Sequence, residues 1–285
     1  MSDLPPALLD LLIVAWLLML GGAIGSFLNV VAYRLPQGMS LIYPGSHCPA
    51  CKHPIRFHDN VPVLGWLILR GRCRDCHVPI SPRYPIVEAI AAAMFLAVGV
   101  VELLDWPFGT GVEELAAHRA LDFRLWIAGA YDLLLLGTLL GAALIEFDRK
   151  PVPLTLFAPA GALGLSIPIA LPGAFSAAAA AGHFDWTATT LETLAGAGVG
   201  LALGWVVVWI VPKPGRPAAI AGATLAGLFL GRQAALVVIP VAAVVYGLAR
   251  LLGAGRIGPA MTLTAVSFAW ILLRPWLVDQ WPWLT

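Results

Sequence analysis

The sequence predicts an all-α, polytopic membrane protein with a small four-cysteine insert near its N-terminus. Three observations carry this. Of 285 residues, 60% are hydrophobic and only 12% are charged, whereas a soluble domain averages roughly a quarter charged residues. The mean hydropathy is +0.86. All four cysteines fall in one short stretch, as two C-x2-C pairs. A water-soluble enzyme, a disordered chain and a disulfide-stapled secreted domain are excluded as classes. The net charge of +1 gives no reason to expect a nucleic-acid partner; the expected surroundings are membrane lipids.

Long apolar runs mark eight expected spans: Ala7 to Tyr33, Pro85 to Leu104, Leu125 to Ile145, Leu154 to Leu171, Leu191 to Val211, Pro217 to Leu230, Gln233 to Leu252 and Ala260 to Leu277. Each is close to the ~20 residues that cross a bilayer as a helix. Gly231 and Arg232 divide the sixth from the seventh. Met1-Ser2-Asp3 lacks a basic signal-peptide start, so the first span is expected to remain in the mature protein.

Charge orients the bundle. The segment from Arg34 to Arg83 carries seven Lys/Arg and two acids, and the next loop is acidic through Glu102, Asp105, Glu113, Glu114 and Asp122. Arg149 and Lys150, Lys213 and Arg216, then Arg250 and Arg256 follow at every second boundary. Basic loops stay in the cytoplasm, so the insert is expected to be cytoplasmic and both termini extracytoplasmic. The domain reading is a first helix (1–37), an insert (38–84) and a helical bundle (85–285). No sequence repeat of fixed period stands out. Small-residue ridges, Gly21 with Gly25 and Gly196, Gly200, Gly204, are expected to let helix backbones meet within the chain.

Cys48, Cys51, Cys73 and Cys76 have the spacing of a zinc ribbon, each pair supplying two sulfurs from one turn. A reducing cytoplasm disfavours disulfides, and an insert this small benefits from a metal. Structural zinc is therefore the expected cofactor. His47, His53 and His77 flank the knuckles as surface or supporting groups, and Arg70, Arg72 and Arg74 read as a solvated basic face, with attraction to anionic lipid headgroups as the alternative. Within the spans, Asp132 is expected to be a buried acid hydrogen-bonded to a neighbouring helix through a Ser or Thr, with a functional site as the alternative, and Asn29 to bond across helices.

Three stretches carry a family resemblance: Gly25-Ser26-Phe27-Leu28-Asn29-Val30-Val31-Ala32-Tyr33-Arg34-Leu35-Pro36, then Asn60-Val61-Pro62-Val63-Leu64-Gly65-Trp66 between the knuckles, then Ile80-Ser81-Pro82-Arg83-Tyr84-Pro85-Ile86-Val87-Glu88. With the knuckles they resemble the N-terminal part of bacterial type IV prepilin peptidases, over about residues 20 to 95. The resemblance implies a bacterial inner-membrane enzyme that cuts the leader from type IV pilin or pseudopilin precursors with two aspartates. It also implies methylation of the new N-terminus with S-adenosylmethionine. Glu88 would then pair with a loop arginine or line the cleft.

The chain departs from the family at both aspartates. Ile145-Glu146-Phe147-Asp148-Arg149-Lys150-Pro151 places Glu146 at the first and keeps Asp148 two residues on; these are the candidate catalytic acids. The G-x-G-D of the second falls on Arg216-Pro217-Ala218-Ala219, and no acid occurs between Glu192 and Asp279. An aspartic peptidase needs one carboxylate as base and another as acid, so the dyad is incomplete in sequence. The alternative expectation is a non-proteolytic member that binds or methylates prepilin-like helices, or scaffolds their assembly.

Overall fold

In a bilayer every backbone amide and carbonyl must be satisfied within the protein, which restricts apolar spanning segments to helices or closed barrels. The computed structural model of the chain describes residues 6–103, 122–171 and 186–281. The expected acids Asp105, Glu113 and Glu114, and the residues at both termini, lie outside these. Among the described residues eight α-helices follow in order: α1 (Pro6–Arg34), α2 (Leu64–Ile68), α3 (Arg83–Leu103), α4 (Phe123–Phe147), α5 (Ala158–Ala170), α6 (Trp186–Val207), α7 (Arg216–Leu251) and α8 (Pro259–Gln280). Among the described residues there is no strand beyond two isolated bridges.

Among the described residues six helices, α1, α3, α4, α6, α7 and α8, contain stretches long and apolar enough to cross a membrane, and α5 is a shorter apolar helix. α7 is two helical arms joined at Gly231, whose φ of 84° and ψ of 171° are not helical. That conformation is open to glycine and closed to side chains with a Cβ. A straight helix would hold Ala219 and Tyr246 about 40 Å apart. Instead they pack together with Val211 in one cluster, so the chain doubles back at Gly231. The division expected at Gly231 and Arg232 is thus a reversal between two arms, 216–230 and 232–251.

The chain forms two compact units, 1–97 and 98–285. In the first, α1 and the start of α3 meet backbone to backbone. A Cβ on Gly25 would sit 2.7 Å from Glu88 Cα, and one on Gly21 would sit 2.8 Å from Ala92 Cα. In the second unit, the Gly196-Gly200-Gly204 ridge of α6 lies against the first arm of α7; a Cβ on Gly204 would lie 3.0 Å from Ile220 Cα. The core of this unit gathers Leu135, Leu139, Phe157, Phe229 and Val238. Tyr131 stacks on Phe229 at 4.1 Å, and its hydroxyl donates to the Gly164 carbonyl at 2.8 Å, joining α4 to α5.

Candidate functional site

The insert brings its four cysteines together, with all four Sγ atoms within 4.8 Å of one another. The thiols are free, and Cys48 Sγ lies 3.7 Å from Cys76 Sγ, Cys51 Sγ 3.9 Å from Cys73 Sγ. A tetrahedron with metal–sulfur bonds near 2.3 Å has edges of about 3.8 Å. The donor set therefore fits one metal ion held by four sulfurs. Amide hydrogen bonds from Cys51 and Ala50 hold the Cys48 thiol down at about 6.

The two knuckles are copies of each other, offset by 25 residues, a repetition the sequence reading missed. His47 bridges Pro54 as Arg72 bridges Pro79. Cys48 N–H donates to His53 O as Cys73 N–H donates to Val78 O, both at 2.9 Å. Lys52 and His77 then occupy the same left-handed conformation, at φ 61° and 58°. Arg74 does not belong to a solvated basic face as expected. It makes a two-pronged ion pair with Asp59, whose carboxyl it holds below its ordinary range. Arg56 pairs with Asp75 at 3.2 Å. Both acids of the insert are therefore neutralised by arginines.

Glu88, expected to pair with a loop arginine or to line the cleft, holds a backbone amide of the insert. Its Oε2 accepts a 2.7 Å hydrogen bond from the Val63 amide. Val63 needs such a hold, because its φ of 61° places a β-branched residue in a tight γ-turn closed by Leu64 N–H to Pro62 O. Asn29 donates to the Tyr84 carbonyl at 3.3 Å, bridging α1 and α3 as expected.

In the second unit, Glu146 lies in the last turn of α4 and its Oε2 accepts from the Ala260 amide at 2.9 Å. Ala260 is the second residue of α8, and the capping residue Gly258 offers no side-chain acceptor. Glu146 supplies that acceptor from another helix. A Cβ on residue 258 would overlap the Glu146 carboxylate, which explains glycine there. Among the described residues, the Ala260 amide is the one hydrogen-bond partner of this carboxylate. Asp148 is the C-capping residue of α4, and no hydrogen bond joins its side chain to Glu146. Ala219, where the resemblance puts the second aspartate, lines an apolar recess with Ala218, Gly222, Tyr246, Ala260 and Leu263.

Asp132 is buried, but its partner is not a Ser or Thr. Arg274 of α8 donates to Asp132 Oδ2 at 3.3 Å and to Glu102 Oε1 at 2.6 Å, so one guanidinium ties α3, α4 and α8. Sequence reasoning passed over Arg274 because it lies inside the apolar run ending at Leu277. An arginine within a span is itself a signal that an acid faces it.

The family model described as Bacterial Peptidase A24 N-terminal domain matches residues 19–101. A prepilin leader peptidase/N-methyltransferase of Myxococcus xanthus (strain DK1622) is 32% identical over 262 residues, covering 87% of this chain and 66% of that protein. The Klebsiella pneumoniae protein of the same description is 33% identical over 205 residues, covering 69% of this chain and 73% of its own length. A type 4 prepilin-like proteins leader peptide-processing enzyme of Escherichia coli O78:H11 (strain H10407 / ETEC) is 44% identical over 151 residues, 47% of this chain and 48% of that protein. The chain thus spans about two thirds of the Myxococcus protein and half of the Escherichia one. No solved structure matches it. With the four-cysteine insert, the apolar helices and relatives matching along most of its length, the chain belongs to the prepilin leader peptidase/N-methyltransferase family.

Proposed function

We propose that this protein engages type IV prepilin-like or pseudopilin transmembrane segments in the bacterial inner membrane, without a two-carboxylate peptidase centre. The relatives' printed activity supports the substrate class. One observation supports the rest: Glu146, at the first family aspartate, caps α8, while the second position is Ala219 beside an apolar recess. Hydrolysis by a dyad needs one carboxylate to deprotonate water and another to protonate the leaving amine. A catalytic pair that lacks one member loses nearly all of its rate.

The reading includes eight crossings, with α5 and the two arms of α7 each passing the bilayer. The positive-inside pattern puts the insert in the cytoplasm and both termini outside. Zinc would be held by Cys48, Cys51, Cys73 and Cys76 as a closed structural site, fixing the insert's fold and supplying no open coordination position. S-adenosylmethionine would supply an electrophilic methyl group for a processed N-terminus. The described residues form no strand–turn–helix cradle for it.

The test uses the full-length, zinc-loaded protein in nanodiscs with a reporter prepilin and a pre-cleaved pilin. Saturable binding of the reporter is expected, with labelled methyl transfer to the pre-cleaved pilin as the arm that identifies an active methyltransferase. Absence of any binding to either pilin would overturn the substrate class.

A further inference from the structure

The segment between the knuckles, residues 61–69, reads Val-Pro-Val-Leu-Gly-Trp-Leu-Ile-Leu, nine apolar residues in an insert otherwise rich in charge. Its centre is α2, where Leu64, Leu67 and Ile68 are 55%, 54% and 69% exposed. These occupy i, i+3 and i+4, one face of the helix turn. Trp66 on the other side donates to the Ile80 carbonyl at 3.0 Å, holding α2 against the second knuckle. A contiguous apolar face left open on a soluble insert needs an occupant.

The depth of the segment identifies that occupant. A Cβ on Gly22 of α1 would lie 2.9 Å from Pro62 Cβ, and Val63 is bonded to Glu88 of α3. Gly22 lies 12 residues before the end of α1 at Arg34, about 18 Å along the helix axis. It also lies 16 residues from Pro6, about 24 Å from the helix start, within the roughly 30 Å of a hydrocarbon core. The segment is therefore folded down beside two spanning helices, at the level where the bilayer core meets its headgroups. It ends in Arg70 and Arg72, both exposed. With Asp59 and Asp75 already paired, these cations suit lipid phosphates.

We propose that residues 61–69 form a membrane-interfacial element, with Leu64, Leu67 and Ile68 buried among the lipids and Arg70 and Arg72 at the headgroups. The insert is then not a freely solvated ribbon. Its two metal knuckles are the water-exposed parts, and the link between them is a lipid anchor. The proposal rests on the reading that the long apolar helices cross a bilayer.

The experiment places a photoreactive benzophenone side chain singly at Ile68, at Met19 on the exposed side of α1, and at Ala50 on the first knuckle, in full-length protein in phosphatidylglycerol-containing nanodiscs. One bound metal per chain checks that each variant is folded. The expected result is a lipid adduct at Ile68 within about twofold of Met19 and at least about tenfold above Ala50, as an interfacially buried face requires. An adduct yield at Ile68 equal to that at Ala50, or crosslinking of Ile68 to protein instead of lipid, overturns the anchor. Failure at Met19 as well overturns the membrane reading beneath it.

Discussion

Glu146 and Ala260 stand 114 positions apart in sequence, yet the Glu146 carboxylate accepts the Ala260 amide at 2.9 Å. The same two helices meet again at Asp132 and Arg274. Both contacts are separated by fourteen residues on each helix, from 132 to 146 on α4 and from 260 to 274 on α8. The two acids of α4 thus fasten α8 at both ends, about 21 Å apart along antiparallel axes. The acid that an active-site reading would assign to hydrolysis also holds a helix end.

Removing the cap should therefore show in stability. Glu146→Ala is expected to destabilise the bundle by about 1–2 kcal/mol, the usual range for losing an N-cap. Glu146→Gln, whose amide oxygen still accepts from Ala260, should cost much less. Gly258→Ala should be harmful in the native background through overlap with the carboxylate and milder beside Glu146→Ala. Unfolding midpoints of the four variants in detergent give this coupling as a double-mutant cycle; additive effects would contradict the contact.

The charged trio makes an asymmetric prediction. Arg274→Leu leaves Asp132 and Glu102 without their cation and is expected to cost about 3–5 kcal/mol. Asp132→Asn should cost less, because Arg274 keeps Glu102 at 2.6 Å. Thermal unfolding of both variants in the same detergent orders them; a milder Arg274→Leu would show that the guanidinium is not the shared partner.

Metal content tests the insert. Wild type should bind one zinc per chain, and Cys51→Ser should lose most of it. Chelation should open the peptide bonds after Lys52, Arg56 and Arg70 to trypsin, while helical content across α4 to α8 stays unchanged. Metal-free, protease-resistant wild type would contradict a four-sulfur site.

Much of this architecture was legible because membrane spans advertise themselves. The apolar runs matched α1, α3, α4 and α8 closely, and Gly231 marked the reversal in α7, since few residues besides glycine take its backbone conformation. The cysteine spacing foretold the sulfur cluster. The knuckle repeat was hidden because only the cysteines, a proline and an isoleucine recur at the 25-residue offset; the likeness lies in backbone hydrogen bonds. The cap by Glu146 left no trace in sequence either. A main-chain amide has no identity of its own, so its acceptor can lie anywhere in the chain. The contacts of Arg274 and Glu88 were hidden for a related reason: their partners, Asp132 with Glu102 and the Val63 amide, are set by helix packing and a strained turn.

Incubating zinc-loaded, full-length protein with a reporter prepilin in detergent, and following leader release on a gel, tests the proposed absence of a catalytic dyad most directly. The expected result is intact prepilin with wild type, indistinguishable from Glu146→Gln. Leader release by wild type that Glu146→Gln abolishes would contradict the account, because the capping carboxylate would then be acting on the scissile bond.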